Sequence, residues 1–444
     1  MKQFLLFLPF LFSFYTVIGQ CPESSLTLTS QAEIDAFTTN YPDCTELLNA
    51  LIISGSDIEN LEGLSNIASV HSVPNGNVEN GIEISDNPNL TSLSGLSSIS
   101  SFDGYVDVVN NPLLENLDGL GGLTTSYNRV RIENNTTLTS LSGLNIESIC
   151  ALIIKDNPNL TNLIGLESLQ TVESLAIDGN NNLENLSGLE NLTYSTEFIA
   201  IRNNPSLTSM IGISNIDTND GVQIINNPLL ENLEGLENLT TLFDVQIEDN
   251  ANLISFFGLH NMTSLYQNLT IKNNNSLVDL NGLESLEYVE DHVFIEENNA
   301  LESLSGLDSF IGVEFFEIRN NPNLSACSID SVCASIINNT NYITISNNAV
   351  GCNSEEEVEE ACLLGINEAS ISSIKIYPNP VVGTMNISLE PNVQVQGVDV
   401  FSVTGEKILT TQDTYVDVSS ISNGVYFVHI NTNLGTITKK IVKK

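Results

Sequence analysis

A short phrase recurs about every 23–24 residues through most of this chain. One copy reads IEISDNPNLTSLSGL at 82–96, and close copies are VDVVNNPLLENLDGL at 106–120 and VQIINNPLLENLEGL at 222–236. One such repeat is too short to bury its apolar residues alone, so successive copies must stack and share a continuous core. The repeat therefore predicts a solenoid rather than an ordinary globule, and it favours function on an extended surface over function in one deep cleft.

Each copy is organised around one asparagine, which serves here as the origin of the rung. Apolar residues lie three and five positions before it, as Ile84 and Ile82 precede Asn87. This period of two predicts short strands with alternate side chains inward. Equivalent strands pair in parallel at about 4.8 Å, so the rungs form a sheet of roughly 55 Å. The origin asparagines are Asn87, Asn111, Asn135, Asn157, Asn180, Asn204, Asn227, Asn250, Asn274, Asn298, Asn321 and Asn348.

The asparagines and glycines of the repeat are predicted to shape its corners. An inward asparagine carries both a donor and an acceptor, so it can bond the backbone groups of a corner and the asparagine of the next rung. Several of these asparagines precede proline, which disfavours helical backbone before it and keeps the corner extended. A glycine near the end of each copy predicts a positive φ or a close approach between rungs. We therefore expect a structural ladder and not a binding site.

The outward strand positions, two and four before the asparagine, are the candidate binding face. Opposite charges alternate along the position two before it, and as cross-strand ladders each contact contributes about 0.2–1 kcal/mol. Two interpretations remain open: the mixed-charge face recognises a partner, or the charges only hold the parallel strands in register. The candidate residues are Arg131, Glu133, Lys155, Asp178, Arg202, Glu248, Lys272, Glu296 and Arg319.

The first residues and the cysteines indicate export. Lys2 precedes an apolar run at 4–17, which predicts a cleaved signal peptide at 1–19 and is too short to span a membrane. In an exported chain, clustered cysteines predict disulfides that staple the ends of the repeats. Cys150 is left over and is expected to be buried as a small hydrophobic residue. The disulfide candidates are Cys21 with Cys44, and two bridges of open connectivity among Cys327, Cys333, Cys352 and Cys362.

The acidic charge is concentrated in the repeat body. The whole chain carries a formal net charge of −42, and residues 20–373 hold only six basic residues and a net charge of −44. Such a body repels nucleic acid and anionic membranes. We expect no cofactor. Calcium bridging the acidic rungs is the open alternative, although no EF-hand or similar motif is present.

The regular spacing has one break. Gly63 and Gly95 are 32 residues apart instead of 22–24, and the extra residues fall at 71–80. Long loops in repeat proteins often carry function, and a harmless surface insertion is the equal alternative.

The rung resembles a known repeat. Leucine follows the asparagine by three positions, as Leu90 follows Asn87, whereas an ordinary leucine-rich repeat places leucine two positions after its asparagine. This spacing is similar to that of the receptor L domain, found in the ectodomains of insulin and epidermal-growth-factor receptors. The resemblance covers about residues 50–349 and implies a right-handed parallel β-helix related to leucine-rich repeats. It does not carry over a growth-factor-binding role, because the repeats here are more numerous and more regular.

A different module follows the repeats. Alternating apolar residues with glycine and asparagine turns at 374–444 predict a small antiparallel β-sandwich. The segment resembles the type A C-terminal sorting domain of the Bacteroidetes type IX secretion system. That resemblance implies Sec export, passage across the outer membrane through the type IX machinery, and a secreted or cell-surface location. The residues that carry it are Tyr377, Pro378, Asn379, Pro380, Gly405, Gly424, Tyr426, Lys439 and Lys440.

The chain is thus expected to be mainly β, with a long solenoid and a small C-terminal sandwich. Its segments are a signal peptide at 1–19, a disulfide-stapled N-terminal cap at 20–50, the repeat solenoid at 51–349, a C-terminal cap at 350–366, a linker at 367–373 and the sorting domain at 374–444.

The sequence favours a non-catalytic, adhesin-like repeat protein that binds a protein or a glycan ligand. Neither a Ser–His–Asp order nor a metal motif stands out, and the loops are nearly uniform in length, so an enzyme is not expected. Two alternatives stay open: a parallel β-helix enzyme acting on polysaccharides, and a purely structural surface-layer scaffold.

Overall fold

The computed structural model describes residues 20–71, 81–102, 104–218, 220–338, 342–372, 374–389, 393–432 and 435–444. The predicted signal peptide and most of the long loop, residues 72–80, lie outside the described residues. The chain divides into two compact units, Met1–Ser325 with Asn341–Ala349 and Ala326–Thr340 with Val350–Lys444. The first unit contains the repeats, and the second contains the C-terminal sandwich.

The first unit is a parallel β-solenoid, as the repeat predicts. Each turn contributes one strand to a long sheet, and equivalent residues face each other, as Ile201, Ile224 and Ile247 do. The strands of this sheet are Leu26–Leu28, Leu51–Ile53, Gly81–Ser85, Tyr105–Val109, Thr125–Glu133, Ser148–Lys155, Thr171–Asp178, Ile199–Arg202, Val222–Ile225, Val245–Glu248, Asn268–Lys272, His292–Glu296, Phe315–Arg319 and Tyr342–Ser346.

Shorter elements complete the turns. The ten-residue helix Gln31–Asn40 begins at Ser30, whose side chain accepts a hydrogen bond from the backbone N–H of Glu33. Two short 3-10 helices, Glu62–Leu64 and Ser94–Leu96, occupy the glycine corners of early rungs. Short parallel strands form further sheets or join the edge of the long one: Glu46–Leu47, Ser69–Val70, Ser101–Phe102, Tyr194–Ser195, Asp217–Thr218, Thr241–Leu242, Ser264–Leu265 and Tyr288–Val289.

The solenoid core consists of stacked columns of aliphatic side chains. Burying one such side chain contributes about 1.5–3 kcal/mol, so the stability of the solenoid is distributed over many similar rungs. In the rung of Asn227, every inward apolar residue has 0% exposure: Val222, Ile224, Leu230, Leu233, Leu236, Leu239 and Leu242.

The glycine corner combines both features expected of it. Gly258 has a φ of 114°, and a Cβ placed there would lie 1.9 Å from the carbonyl oxygen of Leu233 in the preceding rung. Gly95 lacks the positive φ, but its Cβ would lie 1.8 Å from the carbonyl oxygen of Leu61. The close approach of neighbouring rungs is therefore the shared reason for glycine at this position.

A second feature of the backbone at the corner was not predicted from the sequence. The residue before the ladder asparagine has left-handed backbone, with φ of 57° at Asp86 and Asn110, 58° at Glu297 and 71° at Gly179. Asparagine, aspartate and glycine tolerate this region best. The recurring Asp-Asn and Asn-Asn pairs of the repeat were the available signal.

The described residues form three disulfides, Cys21–Cys44 in the first unit, and Cys327–Cys352 and Cys333–Cys362 in the second. Cys150 is half-buried rather than buried, because it lies near the start of the strand Ser148–Lys155 and outside the inward columns of the rung.

The described residues of the second unit form two helices and an antiparallel sandwich. The helices are Asp330–Asn338 and Glu355–Ser372, and the latter continues through residues 367–372, which the sequence assigned to a linker. No proline or glycine lies in that stretch to end the helix. One sheet contains Lys375–Tyr377, Thr384–Ser388 and Tyr415–Asp417, and the other contains Lys407–Thr411, Val395–Ser402, Gly424–Thr432 and Gly435–Lys443. In the described part of the chain, no helix is both long and apolar enough to cross a membrane.

Candidate functional site

The origin asparagines lie in a buried column along the solenoid. Each has 0% exposure except Asn348, which has 9%. Asn204 is typical: its Nδ2 donates to the carbonyl oxygens of Ile177 at 3.0 Å and Arg202 at 2.8 Å, and its Oδ1 accepts from the backbone N–H of Asn180 at 3.1 Å. The side-chain amide atoms thus form hydrogen bonds inside the stack, where they satisfy the backbone groups of the corner.

The outward face comprises the strand positions two and four before each ladder asparagine together with the position six before it, which lies on the same side of the sheet. The parallel register aligns these positions along the sheet. Glu133 lies beside Lys155, and Glu296 lies between Lys272 and Arg319.

Among the described residues, ion pairs join neighbouring rungs at two places in the predicted charge ladders. Glu296 is only 6% exposed, and its carboxylate lies 3.5 Å from Lys272 Nζ and 2.7 Å from Arg319 Nε. Lys155 Nζ lies 3.6 Å from the carboxylate of Glu133. These contacts tie strands of neighbouring rungs together.

The predicted charge ladders are otherwise interrupted. Asp178 is in register with Lys155 and Arg202, but its carboxylate accepts a hydrogen bond from Asn203 at 2.8 Å. Glu248 likewise accepts a hydrogen bond from an amide of its own strand. Among the described ion pairs, none joins Asp178 or Glu248 to a basic residue. Nearby amides compete for these carboxylates, an effect that a list of charges in register does not reveal.

The N-terminal part of the outward face holds a nearly buried carboxylate. Asp107 is 2% exposed, and Nη2 atoms of Arg129 and Arg131 each lie 3.0 Å from its Oδ2. The guanidinium of Arg129 also lies 4.8 Å from the centre of the Tyr105 ring. Arg131, a candidate binding residue, therefore has a structural partner as well, since an unpaired buried carboxylate would be costly.

All the basic residues of the repeat body lie on the outward face. They are Arg129, Arg131, Lys155, Arg202, Lys272 and Arg319. Eight acidic residues share the same positions, namely Glu83, Asp107, Glu133, Asp178, Asp244, Glu248, Glu296 and Glu317. The outward face therefore has a net charge of only −2, while the rest of residues 20–373 carries −42.

An aromatic ridge, defined as His292, Phe294, Phe315 and Tyr342, crosses the last rungs of this face. The ring centroid of Phe315 lies 4.5 Å from that of His292 and 4.9 Å from that of Tyr342, with interplanar angles of 9°. Phe294 stacks on His292 at 5.3 Å. Tyr342 is 70% exposed. The signal for this ridge in the sequence was an aromatic ring six positions before the asparagine in three successive rungs, outside the two outward positions considered above.

Many carboxylates outside the outward face have a repeated structural role. The side chain of Glu167 accepts a hydrogen bond from the backbone N–H of Gly165 at 2.9 Å, and Glu190 does the same for Gly188. The equivalent glutamates Glu237 and Glu284 repeat the contact. The acidic residue two positions after the corner glycine thus satisfies a backbone donor in the turn, which accounts for part of the acidic composition.

Metal-binding groups and shifted pKa values of the described residues bear on whether they could perform catalysis. Within them, no group of three or more His, Cys, Asp or Glu side chains is placed to hold a metal ion. Burial, together with a hydrogen bond to Glu173, raises the pKa of the Cys150 thiol, which favours the neutral form over the reactive thiolate. Burial likewise raises the pKa of Asp244, although hydrogen bonds from Asn268 oppose the shift.

In the second unit, the Tyr-Pro-Asn-Pro segment is attached to the last strand. The side chain of Asn379 donates to the carbonyl oxygen of Lys440 at 2.9 Å and accepts from the backbone N–H of Val442 at 2.8 Å. Asn379 lies between two cis peptide bonds, Tyr377–Pro378 and Asn379–Pro380. Asn379 and Lys440 are 61 residues apart in the chain, so this contact joins the motif to the lysine-bearing terminal strand.

Other motif residues of this unit shape its turns. Tyr426 is buried, and its hydroxyl donates to the carbonyl oxygen of Ser422 at 2.9 Å. Gly405 has a φ of 83°, as the tight turn before the strand Lys407–Thr411 requires. Gly424 begins the strand Gly424–Thr432, which pairs with the strand that contains Lys439 and Lys440.

Comparison with known families identifies the C-terminal part of this unit. Residues 375–444 match the secretion system C-terminal sorting domain. The chain carries a type IX sorting domain at its C-terminal end. The sorting domain directs the protein to the type IX export machinery and to a secreted or cell-surface location.

Comparisons of the whole chain with known proteins give less information about its identity. No curated protein matches it. The chain is similar to a leucine-rich repeat protein from Bacteroides ovatus, known from a crystal structure, at 12% identity, with 73% of this chain and 79% of that chain covered and a TM-score of 0.17. The solenoid assignment rests on the strand register described above and not on this likeness.

Proposed function

We propose that this exported repeat protein is non-catalytic and that its outward face binds a protein or a glycan, in the manner of an adhesin. The distribution of charge is the observation that carries the proposal. The outward face holds every basic residue of an otherwise acidic body, so a partner meets far less repulsion there than elsewhere.

The shape of the sheet also supports binding on this face. Its strands run without interruption from Leu26–Leu28 to Tyr342–Ser346, and repeat proteins commonly use such extended surfaces for recognition. Lys155 and Arg319 remain 42% and 43% exposed although both form ion pairs. Their charged groups are thus accessible to a partner.

The test compares charge reversal with charge conservation at the same positions. The full chain is applied to glycan arrays and to immobilised surface proteins, as wild type, as R202E/K272E and as R202K/K272R. We expect a ligand whose affinity falls about tenfold or more in the reversed variant and stays near wild type in the conservative one.

Two results would contradict the proposal. If R202E/K272E melts at a lower temperature but keeps every interaction, the charges serve strand pairing alone and the protein is a structural scaffold. If polysaccharides on the array are cleaved rather than retained, the protein is an enzyme.

A further inference from the structure

We infer that the aromatic ridge is a binding site for a neutral polysaccharide; this deepens, and rests on, the proposed binding function of the outward face. The ridge combines apolar ring surface with polar groups at fixed spacing. In the strand register, Asn268 continues the column of His292, Phe315 and Tyr342. Such a strip offers C–H stacking surface and hydrogen-bonding groups together, as a sugar ring requires.

Polar side chains lie directly beside the rings. Phe294 is in register with Thr270 on one side and Glu317 on the other, and Glu317 is followed by Thr344. Glu317 is 24% exposed and is held by Arg319 at 2.5 Å. A carboxylate fixed by an ion pair and two hydroxyls therefore border the ridge, each able to bond a sugar hydroxyl.

Ring stacking alone does not account for the ridge. Stacking explains why Phe315 lies between its two neighbours, but it leaves Tyr342 70% exposed. An aromatic ring at this exposure on a solvent face gains little from folding. Its ring and hydroxyl gain contact when a ligand covers them.

The charge distribution selects a neutral ligand. Outside the nearly neutral outward face, residues 20–373 carry a net charge of −42. An anionic polymer that extends beyond the face is therefore repelled wherever it comes within a Debye length, about 8–10 Å, of this acidic surface. A cationic partner is drawn to the acidic surroundings at least as strongly as to the face. A neutral polysaccharide can stack on the rings of the ridge and is not repelled by the acidic surface around it.

The experiment is affinity electrophoresis of the full chain in gels that contain mixed-linkage β-glucan, galactomannan or dextran as neutral probes, or alginate as an anionic probe. We expect at least one neutral probe to retard the wild type, and alginate not to. Tyr342→Ala should weaken that retardation about tenfold, whereas Tyr342→Phe should keep most of it. Phe198→Ala is the matched control, because Phe198 is 40% exposed at the equivalent position of an earlier rung.

A second measurement needs no variant. Nitration of tyrosines is followed by mass spectrometry with and without the retarding polysaccharide. Tyr342 should be protected about fivefold or more, while Tyr266, which is 55% exposed elsewhere on the solenoid, should react as before.

Three outcomes would overturn the inference: no retardation by any of the three neutral probes, equal retardation of wild type and Tyr342→Ala, or stronger retardation by alginate. The proposed function would survive each of them if the charge-reversed variant R202E/K272E still lost a protein ligand. If R202E/K272E instead kept all its ligands while a neutral polysaccharide still bound as predicted, binding would be restricted to the aromatic ridge.

Discussion

The ladder asparagine combines a donor and an acceptor in a short side chain that fits inside the solenoid. Asn204 joins three successive rungs. It bonds the carbonyl of Ile177 and the backbone N–H of Asn180 in the preceding rung and the carbonyl of Arg202 in its own. Its Nδ2 also donates to Oδ1 of Asn227 in the next rung. An aliphatic residue of the same size would fill the space but leave these backbone groups without the amide. The asparagine is therefore required by hydrogen bonding and not by volume.

Replacing one ladder residue should be costly. In Asn204→Ala, the carbonyl of Ile177 and the N–H of Asn180 lose their buried partner, so we expect the free energy of unfolding to fall by about 2–4 kcal/mol in urea titrations. Asn191→Ala is the control, because Asn191 makes an exposed bond to Glu167. It should cost about 0.5 kcal/mol or less. Equal losses would show that burial of the amide is unimportant.

The corner glycine imposes a steric limit at the same scale. Gly258→Ala introduces a Cβ 1.9 Å from the carbonyl oxygen of Leu233 and strains a φ of 114°, so we expect a loss of at least about 2 kcal/mol. In Gly121→Ala, the nearest atom lies 3.6 Å away, and the change in melting temperature should be small. A Gly258→Ala variant that melts with the wild type would mean that rungs can separate at the corner without cost.

At the scale of the element, the rung is a strand followed by turns that side chains stabilise. Left-handed residues such as Asp86 begin the corner, and carboxylates such as Glu237 accept a hydrogen bond from the amide of the corner glycine two positions before them. Polar residues are thus used to close turns, while aliphatic residues fill the core. An acidic composition follows partly from this construction.

One carboxylate should make stability depend on pH. Burial raises the pKa of Asp244, and the charge of Asp220 adds to the shift. The folded chain then holds the proton more tightly than the unfolded chain, so the stability that Asp244 contributes is present at low pH and is lost as the pH rises through the raised pKa. Asp244→Asn should therefore raise the melting temperature at neutral pH and flatten its fall as the pH rises above the ordinary aspartate pKa of about 4.

The control for this prediction is Asp118→Asn, since Asp118 is exposed. Melting curves of the wild type and of Asp118→Asn should keep the same pH dependence. A profile of Asp244→Asn that runs parallel to the wild type would show that the carboxyl of Asp244 titrates alike in the folded and unfolded chain.

At the scale of the whole molecule, different surfaces carry different net charges. The body is acidic, its outward face is nearly neutral, and residues 374–444 carry a small positive net charge. Strong like charge keeps copies of the body apart at the cost of self-repulsion. The outward face is the region where that repulsion is weakest, and the sorting domain brings the protein to the cell exterior, where a partner would meet it.

Export should depend on the C-terminal residues. Deleting 374–444 removes the sorting domain, so we expect the repeat body to accumulate in the periplasm and to disappear from the cell surface and the medium, as cell fractionation with immunodetection would show. R202E/K272E is the control, since it changes the body and should be exported like the wild type. Normal surface display of the deletion variant would contradict the role of the sorting domain.

The fold class was predictable because its signals are local and repeated. Apolar residues at Ile82 and Ile84, leucines at regular spacing and a glycine at each corner predict the same structure in rung after rung. The parallel register then follows from the equal length of the rungs. The helix through 367–372 was not predicted because its sequence resembles a polar linker. The half-buried position of Cys150 was not predicted because its neighbours in sequence are apolar.

The sequence alone determined the period, the inward side chains, the identity of the sorting domain and the alignment of charges along the sheet. Only the tertiary structure decided which charges pair, since Asp178 and Glu248 bond amides while Glu296 takes two cations. It also brought His292, Phe315 and Tyr342 into one stack and attached Asn379 to the last strand. The physical reason is that hydrogen bonds, ion pairs and ring contacts form or fail on differences of a few tenths of an ångström in the distance between side chains far apart in the chain. A repeat pattern specifies only which positions are neighbours.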